Sequence, residues 1–182
     1  MLTGGDRHTS VLRCFPSGLW SRYRGERIPT LEQVLAIVPP GKKIFIEIKC
    51  GPEIISKLRT VLGASQLPLA QVVVISFHEP VIAEVKRQIP QVKACWLVGY
   101  KQDEVTKVWS PPVDDVLRTL QRSGADGLDT EGNQHVVDQA LARQLRARGK
   151  EFHVWTIDNP ADAQYFQRLG VDSITTNRPA EI

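Results

Sequence analysis

Ile44-Phe45-Ile46-Glu47-Ile48-Lys49 is an apolar strand that ends in two charges, and its reading decides the fold. Side chains alternate along a strand, so Phe45, Glu47 and Lys49 share one face and Ile44, Ile46 and Ile48 the other. An acid and a base therefore stand side by side at the C-terminal end of an apolar segment. Burying a charge is costly unless it is paired or bound to something. In parallel α/β proteins ligands collect at that end of the strands. A structural Glu–Lys pair closing a barrel layer is the competing reading of this hexapeptide.

Strand-like and helix-like segments alternate on either side of it. Upstream, Thr30 with Gln33 three residues later resembles a capping box, for a helix that stops at Pro39-Pro40. Downstream, Pro52 opens a helix with Ile54, Ile55, Leu58, Val61 and Leu62 on its apolar face and Gly63 at its end. Val72-Val73-Val74-Ile75-Ser76-Phe77 is an unbroken apolar run, typical of a parallel strand covered on both faces. Glu79-Pro80 starts the next helix, 93–98 is a strand and 101–112 reads as a loop. A helix over 113–122, a short strand at 125–129, a helix over 136–148 and a strand at 152–157 follow. Asn159-Pro160 supplies a cap and a first-turn proline for a helix ending at Gly170, and 172–176 is the last strand.

Strands alternating with helices imply βαβ units and a parallel sheet. No G-x-G-x-x-G follows any strand, so the dinucleotide-binding open sheet has no support. A (β/α)₈ TIM barrel needs eight units and about 250 residues. Six units are visible from residue 28 onward, and the expectation is an incomplete barrel lacking its first two strands. Residues 1–17 show little pattern and are set apart from a barrel domain over 18–182.

The 182 residues suffice for one domain with a real core; 42% are hydrophobic and 24% charged. The net charge of +3 is small and the basic residues are scattered, which gives no support for nucleic acid as a partner. Arg143, Arg146 and Arg148 read as a solvated helix face. Cys14, Cys50 and Cys95 are widely spaced, without C-x-x-C, and are read as reduced thiols in a cytoplasmic setting. No apolar run approaches the length of about 18 residues that a membrane span needs.

Gly25-Glu26-Arg27-Ile28-Pro29-Thr30-Leu31-Glu32-Gln33-Val34-Leu35 and Phe45-Ile46-Glu47-Ile48-Lys49 resemble the glycerophosphodiester phosphodiesterase family. So do Val74-Ile75-Ser76-Phe77, Val154-Trp155-Thr156-Ile157-Asp158 and Gly170-Val171-Asp172-Ser173-Ile174-Thr175-Thr176-Asn177-Arg178-Pro179. The motifs keep the family's order and spacing over residues 18–182. The resemblance implies a (β/α)₈ barrel, a glycerophosphodiester as small-molecule substrate, glycerol 3-phosphate and an alcohol as products, and Mg²⁺ or Ca²⁺ in the site. Carried over by motif, Glu47 is the metal-ligating glutamate, Lys49 the catalytic lysine near the phosphate and Trp155 an aromatic lining the substrate pocket. Phe77, at a strand end, reads equally as a second residue of that lining or as barrel-core packing. The chemistry is coherent: a carboxylate suits a hard cation, and a cation with Lys49 neutralises charge on phosphate oxygens.

The sequence also departs from the family. It contains neither the His-Arg-Gly of the first strand nor the Glu-x-Asp metal pair with its following histidine. The histidines present, His8, His78, His135 and His153, match neither motif. The expectation is a chain poor in cation binding and proton transfer, with little or no phosphodiesterase activity alone. Among other residues, Asp126, Asp129 and Glu131 read as a loop with Asx-turns in preference to a metal site of their own. Ser76 lacks a nucleophile elbow and reads as structural. Arg178 reads equally as a phosphate contact or a surface ion pair, and Trp96 and Trp109 as packing and loop anchoring.

Two further functions compete: a non-catalytic module that self-associates through exposed barrel edges, and a barrel enzyme related to phosphoinositide-type phospholipases.

Overall fold

The computed structural model describes Gly25 and residues 27–182. The expectations for residues 1–17, His8 and Cys14 lie outside the described residues.

Residues 31–182 form β–α units. In chain order they are α1 (Leu31–Leu35), β1 (Ile44–Glu47), α2 (Ile55–Ala64), β2 (Val72–Ser76), α3 (Glu79–Gln88), β3 (Lys93–Val98), a hairpin of β4 (Lys101–Gln102) and β5 (Trp109–Ser110), α4 (Val113–Ser123), β6 (Gly127–Glu131), α5 (Gln139–Ala147), β7 (Glu151–Trp155), α6 (Pro160–Leu169) and β8 (Ser173–Ile174). Six strands pair in the order β1-β2-β3-β6-β7-β8, every pair parallel.

The register sorts the side chains into two faces. Glu47, Ile75, Cys95, Gly127 and Glu151 are successive partners across five strands, so they share one face with Phe45, Val73, Leu97, Asp129 and His153. On the other face Val72, Val74, Ala94, Val98, Leu128, Phe152 and Val154 merge with Ile55, Leu58, Ile82, Val85, Leu120, Leu145 and Phe166 of the helices into one hydrophobic core. Val73, Cys95 and Leu97 are buried but stand outside that core, on the inner face.

That inner face is concave. β1 and β7 are four strand steps apart, which on a flat sheet is roughly 19 Å. Yet the rings of Phe45 on β1 and His153 on β7 meet edge-to-face with centroids 5.6 Å apart. A curled parallel sheet with helices outside is the architecture of an incomplete (β/α) barrel.

Helix ends follow local chemistry. Asn159 caps α6, its side chain accepting from the Ala161 and Asp162 N–H groups, with Pro160 in the first turn. Gly124 and Gly170 end α4 and α6 at φ of +67° and +78°, a left-handed conformation that favours glycine.

Several expected boundaries are corrected. The helix expected over 136–148 begins only at Gln139, because Asp138 caps it by accepting from the Ala140 and Leu141 N–H groups. The strand expected at 125–129 runs instead over Gly127–Glu131. The loop at 101–112 contains an antiparallel hairpin, whose tip is held by Asp103 accepting from the Val105 and Thr106 N–H groups. Gly63 lies inside the last turn of α2, which ends at Ala64 with Ser65 as its C-cap.

Candidate active site

The C-terminal ends of the inner-face residues enclose a cleft of about 270 Å³, lined by Glu47, Phe77, Leu97, Asp129, Trp155 and Thr175 among others. A larger hollow of about 590 Å³ lies between α1 and the end of α2, bounded mainly by Leu35, Val38, Val61 and Leu67. Its walls are largely apolar, and the paired carboxylates line the smaller cleft.

Three of the residues singled out from the sequence meet at this cleft. Glu47 ends β1 with its side chain one-third exposed. Phe77 and Trp155 form a corner of the wall, edge-to-face with ring centroids 5.7 Å apart. Lys49 lies just beyond the strand, mostly exposed, with its ammonium 3.4 Å from a Glu47 oxygen. It flanks the cleft without lining it.

The sequence reading missed Asp129. Its carboxyl lines the same cleft, is 2% exposed, and has one oxygen, Oδ1, with no hydrogen-bond partner. Burial, reinforced by the charge of Glu47, pushes its pKa up to about 7. The Asx-turns expected here are corrected: Asp129 falls inside a strand, as the strand expected at 125–129 had it, and Glu131 lies in β6 too, with alternation from Gly127 turning Asp129 inward. The three carboxylates of this stretch do not act together. Asp126 pairs with Lys86 at 2.8 Å and accepts from the Ala94 N–H, while Glu131 accepts from the Tyr100 N–H. The missed signal was strand alternation through Gly127, Asp129 and Glu131.

Other candidates make contacts away from the cleft carboxylates. The Ser76 hydroxyl donates to the Ile48 carbonyl and accepts from the His78 N–H, joining the ends of β1 and β2. Arg178 pairs with Glu181 at 3.2 Å on the surface. Trp96 donates to the Phe77 carbonyl, and Trp109 stacks on His135. His78 immediately precedes α3. His153 lies within β7 and not at its start; it is buried, and its Nδ1 is 2.8 Å from the Ser173 hydroxyl.

Residues 12–181 match the model of the glycerophosphoryl diester phosphodiesterase family. The chain belongs to that family. It is 28% identical over 159 residues to a glycerophosphodiester phosphodiesterase from Arabidopsis thaliana, covering 85% of this chain and 45% of that one. It is 25% identical over 174 residues to a glycerophosphodiester phosphodiesterase from Bacillus subtilis, covering 91% and 56%. The chain thus spans about half the length of the curated relatives it matches. Among solved structures, a phosphodiesterase from Oleispira antarctica in complex with the product sn-glycerol-3-phosphate superposes with a TM-score of 0.70. That match has 20% identity and covers 89% of this chain and 62% of the other. The curled six-stranded sheet with its helices corresponds to part of the family's barrel.

Proposed function

We propose that the cleft takes a glycerophosphodiester, with its phosphate held by Lys49 and by a divalent cation that Glu47 and Asp129 ligate. The carrying observation is Asp129: a buried carboxyl oxygen without a partner, in the same cleft as a second carboxylate. Oxygen donors suit Mg²⁺ or Ca²⁺, so this chain's residues fit the cation the family resemblance implies. Such a cation supplies Lewis-acid stabilisation of charge on the phosphate oxygens.

The chain's own residues do the remainder. Lys49 adds a positive charge at the mouth, beside Glu47. Phe77 and Trp155 present apolar ring faces to the carbon skeleton of glycerol or the alcohol, and exclude water on that side. Among the described residues no histidine lines the cleft to transfer a proton to the leaving alcohol. His153, the histidine of the inner face, is buried and engaged with Ser173, and burial lowers its pKa. Acid–base catalysis contributes about 10²–10⁴-fold, so the chain alone is expected to bind such ligands and to hydrolyse them slowly at best. No helix among the described residues is long and apolar enough to cross a membrane.

The test is hydrolysis of glycerophosphocholine with Mg²⁺ or Ca²⁺, together with calorimetric binding of sn-glycerol 3-phosphate, for the chain and for Glu47→Ala. The expected result is cation-dependent binding that is lost in the variant, with little turnover. Rapid turnover surviving Glu47→Ala would place the chemistry elsewhere.

A further inference from the structure

The inner face carries a second cluster of ligand-type side chains, of different chemistry, toward the N-terminal ends of the strands. Cys95 on β3, Glu151 on β7 and His153 on β7 each bring one ligand atom within 4.8 Å of the other two. We propose that this cluster is a site for a thiophilic divalent cation of the Zn²⁺ class, adjoining the Glu47–Asp129 cleft, with His153 the register partner of Asp129.

Strand pairing brings the ligands together. Cys95 and Glu151 are both register partners of Gly127, one on each side. Gly127 has no side chain to separate them. A Cβ there would lie 2.7 Å from the Glu151 carbonyl oxygen, 2.8 Å from its Cβ and 3.0 Å from the Cys95 sulfur. The glycine thus opens a gap in which a thiol and a carboxylate from non-adjacent strands converge. His153 follows Glu151 by two residues on the same face and points its Nε2 toward Glu151 Oε2 at 3.4 Å. All three ligands sit on paired strands, which fix their spacing.

The surroundings suit a metal. His153 Nδ1 lies 2.8 Å from the Ser173 hydroxyl. With Nδ1–H donating there, Nε2 presents its lone pair to the cluster, the arrangement by which an outer partner orients a ligating histidine. Glu151 uses Oε1 to hold Lys93 at 3.1 Å, which leaves Oε2 as the inward oxygen. Sulfur, imidazole nitrogen and one carboxylate oxygen form a three-ligand set typical of Zn²⁺ with a fourth position for water. Mg²⁺ and Ca²⁺ prefer oxygen alone, so the two inner-face sites select different cations. Lys93 and Glu151 are partly exposed at the strands' N-terminal end. On binding, the Cys95 thiol proton leaves to solvent and the sulfur bonds the cation as thiolate.

Co²⁺, a spectroscopic stand-in for Zn²⁺, tests this on the whole chain. The expected result is one equivalent bound with a sulfur-to-cobalt charge-transfer band in the near ultraviolet, displaced by Zn²⁺. The band persists in Cys14→Ser/Cys50→Ser, where Cys95 is the sole remaining thiol, and disappears in Cys95→Ser. Ser173→Ala weakens Zn²⁺ binding by roughly tenfold without removing the band. Absence of the band in the variant with Cys95 as sole thiol overturns the proposal, whether or not Cys95→Ser folds. A band that survives Cys95→Ser overturns it equally.

Discussion

The indole N–H of Trp155 donates to the main-chain carbonyl of Asp129 at 3.3 Å. One hydrogen bond thus ties the aromatic wall of the cleft to the strand that carries its buried acid. Trp155→Phe keeps an aromatic surface but leaves that carbonyl without its indole donor. The expected cost is about 1 kcal/mol of stability, read by urea unfolding, with weaker binding of sn-glycerol 3-phosphate in calorimetry. An unchanged affinity would separate Trp155 from the ligand.

Asp129 makes stability depend on pH in an unusual direction for a carboxylate. Its folded pKa, about 7, lies above the ordinary value because of burial and the charge of Glu47. The folded state therefore holds this proton more tightly than the unfolded chain. The stability it contributes is full below about pH 4 and is lost as pH rises toward 7. Asp129→Asn stays neutral throughout. Its stability relative to the parent is expected to grow between pH 5 and pH 8, by a few kcal/mol at most. Thermal unfolding at several pH values checks this, and a constant difference would mean Asp129 is already ionised at pH 5.

Gly127 is expected to tolerate no side chain. A Cβ would collide with the Glu151 backbone, which is held in the β6–β7 ladder and cannot simply rotate away. Gly127→Ala should destabilise by about 1–3 kcal/mol or more, measured by denaturant unfolding. Gly63, with open space at its Cβ position and a helical backbone, serves as the control: Gly63→Ala should be neutral or stabilising.

Ser76 separates structure from chemistry. Its hydroxyl donates to the Ile48 carbonyl at 2.7 Å. Ser76→Ala should cost about 1–3 kcal/mol by leaving a buried partner unpaired, and should leave cation binding intact. Loss of binding at full stability would contradict a purely structural role.

The sequence made the repeating unit legible because outer-face apolar residues recur at strand spacing between helices with readable caps, as at Asn159-Pro160 and Gly170. Glu47, Phe77 and Trp155 could be singled out because motif and strand end coincide. Asp129 could not, because three carboxylates within 126–131 read as Asx-turns at the end of a strand placed two residues too early. Pairing with β3 and β7 overrides that local preference and turns the side chain inward. The Cys95–Glu151–His153 cluster was invisible for a related reason: it depends on two strands meeting across a glycine, a register that no single segment encodes.

In the proposed site Glu47 and Asp129 hold one divalent cation between them. Isothermal titration of the chain with Ca²⁺ and with Mg²⁺ at pH 8, alongside Glu47→Gln and Asp129→Asn, tests it most directly. One equivalent is expected to bind the parent, with affinity falling at least about tenfold in each variant, the loss of one charged ligand. Binding undiminished in Asp129→Asn, with the variant folded, would contradict it.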